Sequence, residues 1–397
     1  MSETKGHAGP VARTHRPVVV HGKWLMDGTG RRPIREGSVL VVNGRIEAAG
    51  PRREVTVPSG AHVIERPDDT LVPGMVDAHN HVSLHTHFEE LAQTTKSETE
   101  VALWGAHWLR KDLESGVTTT RTLGERKLLD VHFKRLQEWG VLQVPRMRIA
   151  VHLIVSSLVR VSVSEVVANG PDAIRHWVRD AARSGADWIK YYATPNSRAQ
   201  DPEMPLYSKA EVEVLFEEAR MVRRPVAAHC HGGQPADWAI ELGVKSIEHG
   251  LYLDERHFAA MGKKGVVLVP TAGIILLLPD EGASPSLVKA KARARSFLRE
   301  ARRHGVRCVP GTDAVHGNLS FEQQLLVECG WSPQEALECS TRHAAELLGM
   351  SDQIGTLEKG KRGDVVAMAG DLAEDPSAFG RVRMVIQDGH VVREDPQ

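Results

Sequence analysis

Leu71-Val72-Pro73-Gly74-Met75-Val76-Asp77-Ala78-His79-Asn80-His81 is an apolar run, interrupted by Pro73-Gly74, that ends in two histidines one residue apart. In an extended strand, side chains at i and i+2 leave on the same side of the chain. Both imidazoles can therefore reach one point in space. Two convergent neutral nitrogens at a strand end suit a metal ion, and the placement outweighs a reading as a solvated surface pair. A second pair of this spacing, His85 and His87, lies beyond the strand and reads as loop or rim.

The surroundings fix the class of molecule. The 397 residues, 41% hydrophobic and 25% charged, suit one large globular domain with a smaller accessory one. A net charge of −1 gives no global field for nucleic acid or a membrane. The basic helix Lys289, Lys291, Arg293, Arg295, Arg299, Arg302, Arg303 lacks interleaved aromatic residues and reads as a solvated face. Residues 1–16 are polar, without the apolar core of a secretion signal, and read as a flexible tail. The four cysteines form no CxxC pair, which fits a reducing cytoplasm. There are 20 histidines, so position must choose among them.

Both ends of the chain read as β structure. Val18-Val19-Val20 and Ser38–Val42 precede a hairpin signal at Asn43-Gly44; Asp364–Met368 and Arg383–Ile386 precede another at Asp388-Gly389. The middle alternates. Helical stripes run through Val101, Trp104, Trp108, Leu113 and through Ala173, Ile174, Trp177, Val178, Ala181, and capping boxes begin at Ser208 and Ser332. Between them lie short apolar runs: Met75–His79, Val117–Arg121, Arg148–Val151, Trp188–Tyr192, Val226–Cys230, Lys245–Glu248, Val266–Pro270 and Arg307–Thr312. Eight strands alternating with helices predict a (β/α)8 TIM barrel over 72–350. The two ends, 17–71 and 351–397, predict one small β-sandwich domain.

Sites in such barrels sit at the C-terminal ends of the strands. Those ends carry His79 and His81, then Lys190, then His229-Cys230-His231, then His249, then Asp313. Imidazoles and a carboxylate are the donors expected for Zn2+ or a similar divalent ion. An ammonium beside a cation would be repelled. Lys190 fits if its amine has taken up CO2 to become a carbamate (N6-carboxylysine), changing its charge from +1 to −1. Spacing favours His229 over His231, and Cys230 should face the opposite side of its strand.

In this order, the stretches 71–81, Gly116–Arg121, Gly185–Lys190, Val226–Gly232, Ser246–Gly250, Gly311–Asp313 and Ile354–Lys361 resemble the amidohydrolase superfamily. The match is with its binuclear branch, among imidazolonepropionase-like and prolidase-like members, from about residue 18 onward. The resemblance implies two divalent ions, zinc first, with Mn2+, Co2+ or Fe2+ as alternatives. His79, His81 and Asp313 would hold the more buried ion, His229 and His249 the other, and carboxylated Lys190 would bridge them. It implies hydrolysis of a C–N bond by a bridging hydroxide, with Asp313 as general base and then acid. The substrate would be an amide, a peptide-like or N-acyl amino acid compound, or a cyclic amide.

Relatives carry a Thr-Gly-Gly-His-Gly type segment after the third strand, where this chain has Val151–Ser157. After the fourth-strand lysine, Tyr191–Ser197 replaces their glycine-rich run. Arg121, His152, Tyr191 and Tyr192 are the candidate substrate contacts. A deaminase would carry His-x-x-Glu on the fifth strand, which His229-Cys230-His231-Gly232 does not. Lactonase or phosphotriesterase chemistry is open to the same metal pair, and the filled ligand set speaks against a non-catalytic scaffold. The partners expected are a small-molecule substrate and further copies of the chain in a homo-oligomer, with neither nucleic acid nor membrane.

Overall fold

The computed structural model describes residues 16–84, 97–161 and 164–396. The tail before Arg16, and His85 and His87, lie outside them. Strands β1 (Val18–Leu25), β2 (Ile34–Val42), β3 (Arg45–Pro51) and β4 (His62–Pro73) open the chain. The middle holds β5 (Met75–Asn80), β6 (Val117–Thr122), β7 (Arg146–Ile149), β8 (Leu153–Ile154), β9 (Ile189–Tyr192), β10 (Val226–Cys230), β11 (Ser246–His249) and β12 (Val267–Val269). The end holds β13 (Val365–Ala369), β14 (Val382–Gln387) and β15 (His390–Glu394).

Both chain ends join in one seven-stranded sheet, ordered β15-β14-β13-β4-β1-β2-β3. Alternate residues such as Val18 and Val20, Val39 and Val41, Val365 and Ala367, Met384 and Ile386 share one buried cluster, as a period of two requires. Asn43, Gly44, Asp388 and Gly389 all have positive φ, the backbone of tight hairpin turns. The two turns meet through the segment before β13: Gly363 N–H donates to Gly44 O at 2.8 Å, and Gly389 N–H donates to Gly363 O at 3.0 Å. The expected sandwich is thus a single sheet rolled around its own apolar face. It is continuous because β4 pairs with β1 on one side and β13 on the other.

The middle strands are parallel, in a three-stranded sheet β5-β6-β7 and a five-stranded sheet β12-β11-β10-β9-β8. The third expected strand is split where Val151 turns left-handed, φ 67°. Trp188 N–H still donates across that break to Ile149 O at 3.2 Å. The eighth run forms a single bridge, Leu268 to Cys308. It contacts both neighbours: Val309 N–H donates to Leu268 O at 2.9 Å, and Ala78 N–H to Pro310 O at 3.0 Å. Pro310 has no N–H to extend the ladder.

Helices pack on these sheets with the capping expected of them. Ser97 with Glu100, Ser208 with Glu211, and Ser332 with Glu335 form reciprocal capping boxes. The basic helix Pro285–Arg303 is balanced by Asp280, Glu300, Glu328 and Glu335. Among the described residues, no helix is long and apolar enough to cross a membrane.

A single residue, Gly74, separates β4 from β5. A Cβ there would stand 2.2 Å from Thr118 Oγ1, so no larger residue fits without displacing β6. Arg146 at the start of β7 fastens the same junction from below. Its guanidinium donates to Thr119 Oγ1 at 2.8 Å, Asp364 Oδ2 at 3.0 Å and Asp388 Oδ2 at 2.9 Å. Arg146→Ala leaves Asp364 buried without its cation, while Asp388 keeps Arg362 at 2.8 Å. We expect a loss of about 3–5 kcal/mol in stability, read as a lower midpoint in urea unfolding.

Candidate metal centre

His79 ends β5, and His81 follows one residue after it. His79 Nδ1 lies 2.8 Å from Glu248 Oε2, and His81 Nδ1 lies 2.9 Å from the Gly124 carbonyl oxygen. Each Nδ1 therefore carries the proton that its acceptor needs, and each Nε2 is left with a lone pair. Both Nε2 atoms face one oxygen, Asp313 Oδ1, at 3.4 and 3.5 Å. Three electron-pair donors within 4.8 Å of one another form a group that could hold a metal ion. A cation among them resolves the repulsion. Burial holds His79 well below the usual imidazole range, as a neutral ligand requires. At His81 burial acts in the same sense, but Glu125 and Asp313 outweigh it and raise the group.

The positions are set by close backbone packing. A Cβ on Gly311 would stand 2.7 Å from His79 Cβ, so only glycine lets the loop bearing Asp313 come this near. Asp77 ties the two together. Its Oδ1 accepts from His79 N–H at 3.1 Å and Thr312 N–H at 3.0 Å, and its Oδ2 from the Thr312 hydroxyl at 2.6 Å. Asp313 (φ 50°), His249 (φ 69°) and Thr271 (φ 45°) all have left-handed backbones. Each such residue costs of order 1 kcal/mol and persists only where its surroundings over-determine it.

The remaining donors lie alongside. Ring centroids step from His79 to His249 at 5.0 Å, to His229 at 4.4 Å and to His231 at 4.9 Å. His249 Nδ1 is 2.6 Å from Thr271 Oγ1, which leaves its Nε2 free for a ligand. His229 Nε2 lies 3.3 Å from the Pro195 carbonyl oxygen, while its buried Nδ1 has no partner among the described residues. The same is true of His231 Nδ1. Burial keeps His229 and His249 far below the ordinary range and pushes His231 down to about 3. Lys190, 1% exposed, turns towards this group an Nζ with no partner among the described residues. Burial pushes its amine down to about 8, against the opposing pull of Glu248 and Asp313. A buried ammonium without an acceptor is costly; an anionic carbamate between two cations is not. The orphaned atoms therefore fit a second ion and a carboxylated lysine.

Of the four candidate substrate contacts, only Tyr192 stands in this centre, stacked on His229 with centroids 3.7 Å apart. Arg121 is fully buried over the Trp188 ring and spends its guanidinium on Ser246, Glu248 and the Ala78 carbonyl. It holds Glu248 against His79 and does not face a substrate. Tyr191 points to the helix layer, against Tyr207 and Phe216, because strand alternation turns it away from Lys190. His152 pairs with Asp180 at 2.9 Å and packs on Trp177. Cys230 is buried between the two inward histidines, as alternation requires.

Sequence reading missed Glu248 and Thr271, the partners that orient two of the imidazoles. Glu248 precedes His249, and a regular strand would point the two to opposite faces. The left-handed turn at His249 brings both inward.

The chain matches the family model "Amidohydrolase family" over residues 70–392. An ochratoxinase of Aspergillus niger is 34% identical over 231 residues, 55% of this chain and 48% of that protein, so the match spans about half the relative's length. An imidazolonepropionase of Pseudomonas putida is 26% identical over 84% of this chain and 88% of its own. Among solved structures, a Xaa-Pro dipeptidase with bound methionine superposes with a TM-score of 0.86 at 26% identity, covering 94% of this chain and 99% of the other. The chain belongs to the amidohydrolase family.

Glu248→Gln keeps the size of the side chain and removes the charge that orients His79. Metal affinity should fall about 10- to 100-fold, measured by competition with a chelating dye.

Proposed function

We propose that the protein is a binuclear metal-dependent amidohydrolase that cleaves an amide, peptide-like, N-acyl amino acid or cyclic amide bond. The observation that carries this is the convergence of His79 Nε2 and His81 Nε2 on one Asp313 oxygen, beside a lysine nitrogen with no partner among the described residues. The names of the relatives, an ochratoxinase, an imidazolonepropionase and a Xaa-Pro dipeptidase, support it. In this reading the two parallel sheets are arcs of one (β/α)8 barrel over 72–350, with the rolled sheet as a second domain from 17–71 and 351–397. The hydrogen bonds of the eighth run to β12 and β5 support closure.

His79, His81 and Asp313 would hold one divalent ion, His229 and His249 a second, and carboxylated Lys190 both; zinc suits this donor set. Bound there, the ions would lower the pKa of a water towards neutrality and polarise the scissile carbonyl. Asp313 takes the proton released as the water oxygen adds to the carbonyl carbon. It then delivers that proton to the leaving nitrogen as the C–N bond breaks, so one water is consumed and a carboxylic acid and an amine result. Glu248 keeps His79 in the tautomer that presents Nε2, and Thr271 holds the His249 ring in place. Four buried free cysteines, Cys230, Cys308, Cys329 and Cys339, agree with a cytoplasmic setting.

Elemental analysis after loading should give two ions per chain. Lys190→Ala should lose both metal and turnover, with partial recovery in millimolar acetate or propionate, whose carboxylate replaces the carbamate. Asp313→Asn should retain at least one ion while kcat falls about 10²- to 10⁴-fold. An active Asp313→Asn enzyme would remove this residue from proton transfer.

A further inference from the structure

Tyr192 stands between two environments. One face of its ring lies flat on His229, with centroids 3.7 Å apart and planes 8° from parallel. The ring also packs against an apolar cluster in which Leu153 and Val155 are buried and Leu84, Val159 and Val161 are half-buried. These residues come from the ends of the first and third strand runs, so they stand at the same end of the sheets as the histidines. Tyr192 itself is half-buried, and its hydroxyl has no hydrogen-bond partner among the described residues. A phenol with one apolar body and one free polar tip serves an apolar group and a polar atom of the same ligand. The aliphatic cluster continues the body. The stack on His229 fixes the ring, because rotating it would break a contact made across its whole face.

We propose that Tyr192, with Leu84, Leu153, Val155, Val159 and Val161, forms the subsite for an apolar aliphatic or aromatic group flanking the scissile bond. The Tyr192 hydroxyl donates to the oxygen of the scissile carbonyl. This rests on the amidohydrolase reading and specifies its substrate: an amide with a bulky apolar neighbour. Lys190 and Tyr192 share one face of β9, so the group that would join the metals and the group that would hold the carbonyl are two residues apart on one strand. Arg121, whose guanidinium is taken up by Glu248 and Ser246, does not compete for this role.

The test uses the zinc-loaded full chain and two substrate series. One varies the acyl side: N-acetyl-, N-hexanoyl- and N-benzoyl-alanine. The other varies the amine side: N-acetyl-alanine, N-acetyl-leucine and N-acetyl-phenylalanine. We expect kcat/KM to rise about tenfold or more with apolar size in at least one series. Val159→Asp should abolish that rise with metal content and melting temperature unchanged. Tyr192→Phe keeps the stack, so metal content and KM should stay within about threefold while kcat falls about 100-fold. Hydrolysis of every amide at similar kcat/KM would overturn the subsite and leave the hydrolase reading standing. No hydrolysis of any amide in either series by fully loaded protein would overturn this subsite and remove N-acyl amino acids from the proposed substrates, leaving the cyclic and peptide-like amides of the hydrolase reading. A Tyr192→Phe enzyme with wild-type kcat would overturn the role of the hydroxyl.

Discussion

His79, His81 and Asp313 converge because Asp77 holds two distant parts of the chain in contact. Its carboxylate accepts the His79 amide on one side and the Thr312 amide and hydroxyl on the other. Burial, reinforced by the nearby Asp112, raises its pKa to about 7. The side chain sits two residues before His79 and opposite the residue before Asp313. It thereby sets both the strand that delivers the imidazoles and the loop that delivers the carboxylate. Gly311 makes the approach possible sterically, and Asp77 makes it favourable.

Around that contact three of the imidazoles are oriented by a buried oxygen. Glu248 orients His79, the Gly124 carbonyl His81, and Thr271 His249. Beneath them Arg121 neutralises Glu248 while lying over the Trp188 ring. Arrangement of this kind suits a metal site: one nitrogen of each oriented ring has a partner and the other faces the centre. Lys190 Nζ, His229 Nδ1 and His231 Nδ1 are the exceptions, buried nitrogens for which the described protein supplies no partner. These orphans say more about the chemistry than the satisfied groups beside them.

Much of this was legible in the sequence because it is local. The spacing of His79 and His81 puts both on one side of an extended chain, and the capping boxes at Ser208 and Ser332 depend on contacts three residues apart. The hairpins at Asn43-Gly44 and Asp388-Gly389 need only left-handed backbone. What escaped depends on partners far apart in the chain or on broken periodicity. Arg121 resembled a substrate clamp because nothing local reveals that Ser246 and Glu248 will claim it. Tyr191 and Tyr192 look equivalent until the strand assigns them opposite faces. Glu248 was hidden by its own neighbour, since the alternation rule fails at His249. The joining of both ends in one β domain was legible, but the register of β4 against β13 pairs residues from opposite ends of the chain and no local pattern sets it.

That pairing has a consequence for how the protein is made. β4 lies in the interior of the finished sheet, flanked by β1 and β13. On the ribosome it leaves the exit tunnel long before β13 is translated, at roughly 5–20 residues per second. Until then the nascent chain carries a strand with one unpaired edge over Asp69–Pro73, next to the run Glu65-Arg66-Pro67-Asp68, whose charges and proline discourage pairing with other chains. The last strands to be synthesised are therefore the ones that cap it, and a ribosome that stalls before Val365 releases a product with that edge uncovered.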